Sequence, residues 1–211
     1  MSAELPRIDR ESFGQQLEML AGQELGQGVA DRLFLHYREL RRWNRMTSLV
    51  GPGTAREVLQ RHYAESLAGL SLLDGTEQEV VDIGSGAGFP ALIMAAARGD
   101  LSVTLVEANQ KKWSFLMTAS RKMSLPCRCL NARVGATPVE GLPLHIDVIT
   151  SRAVSDSDLS LNALLPRLSS RGSLLLWVGE SIPETPKNFT VKQEVPLPGS
   201  RARRILRLSP R

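Results

Sequence analysis

The segment Val80-Val81-Asp82-Ile83-Gly84-Ser85-Gly86-Ala87-Gly88-Phe89-Pro90 restricts the possible folds of this chain more than any other. A short β-rich run feeds directly into glycines at 84, 86 and 88. Glycine lets the backbone turn at positive φ and lets a ligand approach the main chain closely. Strand-to-helix turns of this kind lie at the carboxyl end of parallel sheets, where nucleotide-like ligands bind. A dinucleotide fingerprint would want its third glycine at 89, where Phe89 stands. A P-loop would need Gly-Lys-Ser/Thr, which the sequence lacks. Glu107 ends the next β-rich run, nineteen positions after Gly88, where a carboxylate can accept hydrogen bonds from ribose hydroxyls. Glu107 thus supports an adenosine ligand and leaves a nicotinamide cofactor open. A turn needed only for helix–sheet packing is the plain alternative. It accounts for one glycine better than for three at this spacing.

Around the turn, β-rich and helical runs alternate. Strands are expected at 80–83, 102–106, 127–130, 146–150 and 173–178, the last preceded by Gly172. Helices are expected at 89–97, at 111–123 and around Leu161, Leu164, Leu165 and Leu168. This order predicts an α/β, Rossmann-like doubly wound sheet with right-handed crossovers. Runs at 190–195 and 203–208 flank a Pro198-Gly199-Ser200 turn and predict an antiparallel hairpin at one sheet edge. Residues 1–78 read as a helical extension packed on a core of residues 79–211. Its apolar stripes are Phe13, Leu17 and Leu20; then Leu33, Tyr37 and Leu40 within 29–45; then Leu59, Tyr63, Leu67 and Leu70. Thr54 and Glu57 have the spacing of a capping box for the third helix.

Composition bounds the function classes. The 211 residues carry 26 basic and 22 acidic side chains, a net charge of +4 that permits an anionic partner without demonstrating one. With 42% hydrophobic residues the chain is neither disordered nor a coiled coil. No apolar run approaches the ~20 residues of a membrane span, and residues 1–10 are polar, so a cytoplasmic protein without a signal peptide is expected. Cys127 and Cys129 would share one face of a strand, poor geometry for a mutual disulfide. A metal site would need further ligands, and His36, His62 and His145 are scattered, so no metal is expected.

Gly-x-Gly-x-Gly with Asp82 two residues ahead resembles the first motif of class I S-adenosylmethionine methyltransferases. Further segments converge on one family. They are Trp43-Asn44 with Arg45 to Leu49, Arg61-His62-Tyr63-Ala64-Glu65-Ser66-Leu67, and Lys111-Lys112 ahead of Phe115-Leu116. Asn131-Ala132-Arg133-Val134 and Thr150-Ser151-Arg152-Ala153 complete the set. In this order they resemble the bacterial ribosomal RNA small subunit methyltransferase G family, also called glucose-inhibited division protein B, over roughly residues 40–180. The resemblance implies methyl transfer from S-adenosylmethionine to N7 of a guanine in 16S rRNA, alone or in the small ribosomal subunit, by a monomer. It implies a cofactor site of Gly84, Ser85, Gly86, Gly88, Phe89, Glu107, Ala108, Arg133, Val134, Gly135 and Arg152. Arg152 would be the catalytic residue, and Lys111, Lys112, Arg133 and Arg203 would contact RNA. Gly135, where an acidic residue is frequent, and Val178, where a lysine is, depart from the pattern.

The chemistry agrees with the residues. N7 of guanine has a free lone pair and no proton, so its methylation needs alignment and desolvation rather than a general base. Arg152 would hydrogen-bond guanine O6 or a flanking phosphate; a salt bridge to Asp156 or Asp158 is the structural alternative. His62 is expected to make a capping or helix–sheet hydrogen bond, and Trp43 to anchor the core rather than stack on a base. Arginines of the second helix and the tail are further phosphate candidates. Two other readings stand beside this one: a methyltransferase for a small molecule or protein, and a non-catalytic nucleic-acid-binding module with a vestigial cofactor turn.

Overall fold

The computed structural model describes residues 3–135, 138–152, 162–180, 186 and 188–211. Its elements follow in chain order. Helices α1 (Arg10–Ala21) and α2 (Gln27–Asn44) come first, then a π-helical turn (Leu59–Ala64), α3 (Glu65–Leu67) and a 3-10 turn (Ala68–Leu72). Next come β1 (Glu79–Ile83), α4 (Ala91–Ala97), β2 (Ser102–Val106), α5 (Gln110–Lys122), β3 (Arg128–Leu130) and β4 (Ile146–Arg152). A 3-10 turn (Leu165–Arg167) leads into β5 (Leu168–Val178), followed by β6 (Phe189–Pro196) and β7 (Arg204–Pro210).

The strands form one sheet in the order β3-β2-β1-β4-β5-β7-β6. β1 to β5 pair in parallel, and β7 pairs antiparallel with both β5 and β6. The expected edge hairpin is therefore present, with β6 outermost. The chain leaves β1 toward β2 on one side and later returns as β4 on the other. This reversal opens a crevice at the carboxyl ends of β1 and β4, the place where ligands bind in open α/β sheets.

Alternation along each strand sorts side chains to two faces. Val80, Val103, Leu105, Val148 and Leu175 join one apolar cluster, together with α4, α5 and the N-terminal helices through Phe13, Leu17, Leu33, Tyr37 and Tyr63. Val81, Ile83, Val106, Ile149 and Leu174 join a second cluster on the other face with Val134 and Leu164. Trp43 packs at the margin of the first cluster, 6.0 Å from the Phe115 ring, which is a core contact. Asn44 uses its whole amide: Nδ2 donates to the carbonyls of Ala3 and Val50, and Oδ1 accepts from the N–H groups of Leu49 and Val50.

Three local expectations give way. The Thr54 capping box does not form. Residues 51–57 make turns through Gly51, Pro52 and Gly53, helical structure starts at Val58, and Thr54 Oγ1 bonds His62 Nε2 at 2.9 Å instead. β5 begins at Leu168 rather than 173, taking Gly172 into the strand, because Leu168 pairs with Ile146 before a register shift whose extra residues lie in β5. α2 carries the arginines, yet Arg32 donates to the carbonyl of Ala96 and Arg41 to that of Leu5, so these two hold backbone. Leu161, expected in a helix, lies outside the described residues.

Gly69 shows how closely the helical segment meets the sheet. A Cβ there would stand 2.6 Å from the Trp177 ring and 3.3 Å from Met94 Sδ. Gly69→Ala is expected to destabilise the protein by about 1–3 kcal/mol through overpacking, as read from urea unfolding. An unchanged midpoint would show that Trp177 swings away freely.

Candidate active site

The glycine turn is built on β1. Gly84 and Ser85 donate backbone N–H groups to the Val106 carbonyl, at 2.9 and 3.1 Å, which ties the turn to the end of β2. Gly84, Gly86 and Gly88 have φ of 71°, 55° and 85°, so the turn uses the left-handed region three times. The glycines differ in purpose. A Cβ on Gly88 would come within 2.8 Å of Leu92, so that position serves helix–sheet packing. A Cβ on Gly86 would meet only the Gly84 carbonyl, at 3.7 Å, so it faces open space beside the turn.

Glu107 closes the other side. Its Oε2 accepts from the Gly86 N–H at 2.9 Å and its Oε1 from the Asn109 N–H at 2.7 Å. Each oxygen keeps a second lone pair for a hydroxyl donor. Ala108 is exposed next to it. Beneath the turn, Asp82 is fully buried and accepts from Thr150 Oγ1 at 2.6 Å. Its Oδ2 is buried with no hydrogen-bond partner among the described residues. Burial pushes the carboxyl up to about 7, partly opposed by the Thr150 bond and reinforced by the charge of Glu107.

Helices outside the sheet also hold the turn. His36 of α2 is fully buried, with Nε2 2.9 Å from the Ala87 carbonyl and Nδ1 2.6 Å from Tyr63 Oη. A carbonyl only accepts, so Nε2 carries the hydrogen and Nδ1 accepts from the tyrosine. Burial lowers the His36 pKa to about 4, keeping that neutral arrangement. His62 makes the local bond to Thr54 and lies 4.9 Å from the Phe89 ring. Burial, then the charges of Arg152 and Arg61, lower its pKa to about 3.

Arg152 ends β4, one residue beyond the Ile83–Ser151 pairing and so beside the start of the glycine turn. Its guanidinium donates to Glu65 Oε2 at 2.7 Å and to the Arg61 carbonyl. Asp156 and Asp158 lie outside the described residues; the carboxylate that meets Arg152 is Glu65. Arg203 also reaches Glu65, through Nε at 2.9 Å and Nη2 at 2.8 Å. Lys111 and Lys112 stand at the start of α5, whose N-cap Asn109 accepts both of their backbone N–H groups. Lys111 and Arg133 are exposed. Val134 is buried and Gly135 half-buried, and both line a hollow with Val139, Leu142 and Leu164.

The structure thus brings Gly84 to Phe89, Glu107, Ala108 and Arg152 around the β1–β4 crevice. It places Lys111, Lys112 and Arg133 on the carboxyl rim of β2 and β3. Sequence reasoning did not single out Glu65, His36 or Thr150. Glu65 sits within a quoted motif, and its one available signal was a carboxylate at an apolar helical position. Cys127 and Cys129 are free, and burial pushes the Cys127 thiol up to about 12. Among the described residues no group of three or more His, Cys, Asp or Glu could hold a metal ion.

S-adenosylmethionine fits these residues. The open flank of Gly86 gives room, Glu107 has lone pairs for the ribose, and the partnerless Oδ2 of Asp82 leaves a polar atom buried beneath the turn. The raised pKa of Asp82 makes a further expectation testable. Between pH about 4 and about 7 the native carboxyl keeps a proton that the unfolded one has lost, so this group makes stability fall as pH rises through that window. Asp82→Asn should remove that component. The stability difference between variant and parent should shift in the variant's favour from pH 5 to pH 8 in urea titrations, and an unchanged difference would refute the raised pKa.

The sequence pattern of rRNA small subunit methyltransferase G matches residues 30–196. A protein of that description from Jannaschia sp. (strain CCS1) is 34% identical over 173 residues, 78% of this chain and 80% of the relative. One from Laribacter hongkongensis (strain HLHK9) is 34% identical over 202 residues, 90% of this chain and 95% of the relative. Among solved structures, the mitomycin 7-O-methyltransferase MmcR is similar with a TM-score of 0.59 at 16% identity, over 97% of this chain and 74% of that one. A SAM dependent methyltransferase from Aquifex aeolicus has a TM-score of 0.56 at 14% identity, over 72% of this chain and 92% of that one. These two likenesses concern the fold, a class I methyltransferase sheet. With the family pattern spanning most of the chain and falling on the glycine turn, Glu107 and Arg152, the chain belongs to the rRNA small subunit methyltransferase G family.

Proposed function

We propose that this protein transfers a methyl group from S-adenosylmethionine to N7 of a guanine in 16S rRNA, working as a cytoplasmic monomer on the RNA or the small subunit. The observation that carries the reading is the turn at the β1–β4 crevice. Three positive-φ glycines are anchored by the Glu107 carboxylate, in a chain of this family. When bound, the cofactor would supply an electrophilic methyl group on its sulfonium, open to attack by the N7 lone pair with the C–S electrons leaving on a neutral thioether.

The residues divide the remaining work. Gly84, Ser85, Gly86, Gly88 and Phe89 would line the cofactor, with Glu107 on the ribose and Ala108, Arg133, Val134 and Gly135 beside the adenosine. No residue has to take a proton, which agrees with the lowered pKa values of His36 and His62, set first by burial, that make both poor proton acceptors. Arg152 would act on the acceptor, donating to guanine O6 or a flanking phosphate from a guanidinium already held by Glu65. Lys111, Lys112, Arg133 and Arg203 would meet RNA phosphates, so binding should weaken as salt rises. Among the described residues no helix is long and apolar enough to cross a membrane.

Mass-mapping of 16S rRNA from cells with and without the gene tests the reading. One N7-methylguanine should disappear without the gene and return with it, and an unchanged pattern would overturn the assignment. Arg152→Ala should bind S-adenosylmethionine in calorimetry while turnover on rRNA falls roughly 100-fold. Near-normal turnover by the folded variant would remove Arg152 from the reaction.

A further inference from the structure

Glu65 is buried to 1% side-chain exposure and faces three guanidiniums: Arg152 at 2.7 Å, Arg203 at 2.8 Å and Arg61 at 3.5 Å. They come from β4, from the start of the β7 hairpin and from the π-helical turn, so three separate parts of the chain converge on one carboxylate. Glu57, half exposed, also pairs with Arg61 at 3.8 Å, so three cations meet two anions and one positive charge is left among these guanidiniums in a half-buried place. The carboxylates do not satisfy every donor. Arg152 Nη1 and Arg61 Nε are buried with no hydrogen-bond partner among the described residues. Arg61 and Arg203 also line an open depression with Ser200 and the exposed Arg201, while exposed Glu180 stands at its wall.

The position of this cluster bears on the reaction. Arg152 borders the glycine turn, and His62, next to Arg61, lies against Phe89 of that turn. A group bound by the arginines would therefore sit next to the cofactor crevice. Its chemistry follows from the donors. Guanidinium forks pair with planar or tetrahedral oxyanions, and a phosphodiester offers two non-bridging oxygens and one negative charge. Such a group would lower the excess charge without exceeding it.

We propose that Glu65 is a positioning residue that gathers Arg61, Arg152 and Arg203 into one clamp for a single backbone phosphate of the RNA, next to the nucleotide that is methylated. The proposal deepens the rRNA reading and rests on it for the identity of the polymer. Glu65 never touches the RNA; it fixes where the three forks stand. A clamp of this kind holds the strand at one point, so that the adjacent base meets the crevice in one register.

The test uses the full-length protein and 16S rRNA, with S-adenosylmethionine affinity measured by calorimetry as a check on folding. Arg61→Ala and Arg203→Ala should each weaken rRNA binding about four- to fivefold at physiological salt and lower the slope of log affinity against log salt, by no more than about one when combined because a single phosphate is held. Their cofactor affinity should be that of the parent. Glu65→Gln raises the net positive charge, so simple attraction would tighten RNA binding. The clamp predicts instead that kcat on rRNA falls roughly 10- to 100-fold, with cofactor affinity kept, because the forks lose their common anchor. If Glu65→Gln does not fold, the two arginine variants decide by themselves. Wild-type affinity and salt slope in both arginine variants would overturn the clamp, as would wild-type kcat in folded Glu65→Gln. A parent protein that binds rRNA through these arginines but methylates no guanine in it would refute the proposed reaction and leave the clamp standing.

Discussion

A carboxylate withdrawn from water must have its charge answered nearby, and much of this molecule is arranged around Glu65 doing so. Its guanidinium partners tie the helical segment to β4 and to the terminal hairpin. Its backbone carbonyl accepts from Trp177 Nε1 at 2.8 Å, which adds β5 to the same knot. Removing one partner of a buried ion pair costs about 3–5 kcal/mol, so a substitution at Glu65 would be felt in all of these elements. The π-helical turn belongs to the same arrangement. The carbonyls of Arg61 and His62 accept from Arg152 and from Ser66 Oγ, and side-chain donors reaching into the helical ladder widen it.

A second tie runs from the helices to the cofactor turn. The Nε2–H of His36 satisfies the Ala87 carbonyl, and Tyr63 completes the imidazole from the π-helical turn. The N-terminal helices therefore do more than cover one face of the sheet. They hold the main chain of the glycine turn from behind, while Glu107 holds it from the front through Gly86. These two side chains add to the backbone bonds from Gly84 and Ser85 to Val106 that already tie the turn to β2.

Legibility in the sequence followed the range of the interaction. The run 102–106 coincides with β2, and the tail hairpin was readable because alternation and a Pro-Gly turn are local signals. The glycine turn and Glu107 were readable because spacing along one chain segment sets their geometry. Thr54 misled because the capping-box spacing says nothing of the Gly51-Pro52-Gly53 turns, or of His62 as a competing partner for the hydroxyl. Leu168 was read as helical because its strand partner, Ile146, is twenty-two residues away.

By itself the sequence determined the alternating βα architecture, the cofactor turn and the family to which the chain belongs, since each is written in periodicity or in residue type at short spacing. Tertiary structure alone decided which charges meet. Glu65, Arg152 and Arg203 are separated by 87 and 138 positions, and neither spacing nor composition can bring them together. Only the crossover to β4 and the return of the β6–β7 hairpin do so. The small net charge of +4 thus becomes a concentrated local excess beside the crevice, because folding places three arginines around one buried carboxylate, with only the half-exposed Glu57 as a second anion.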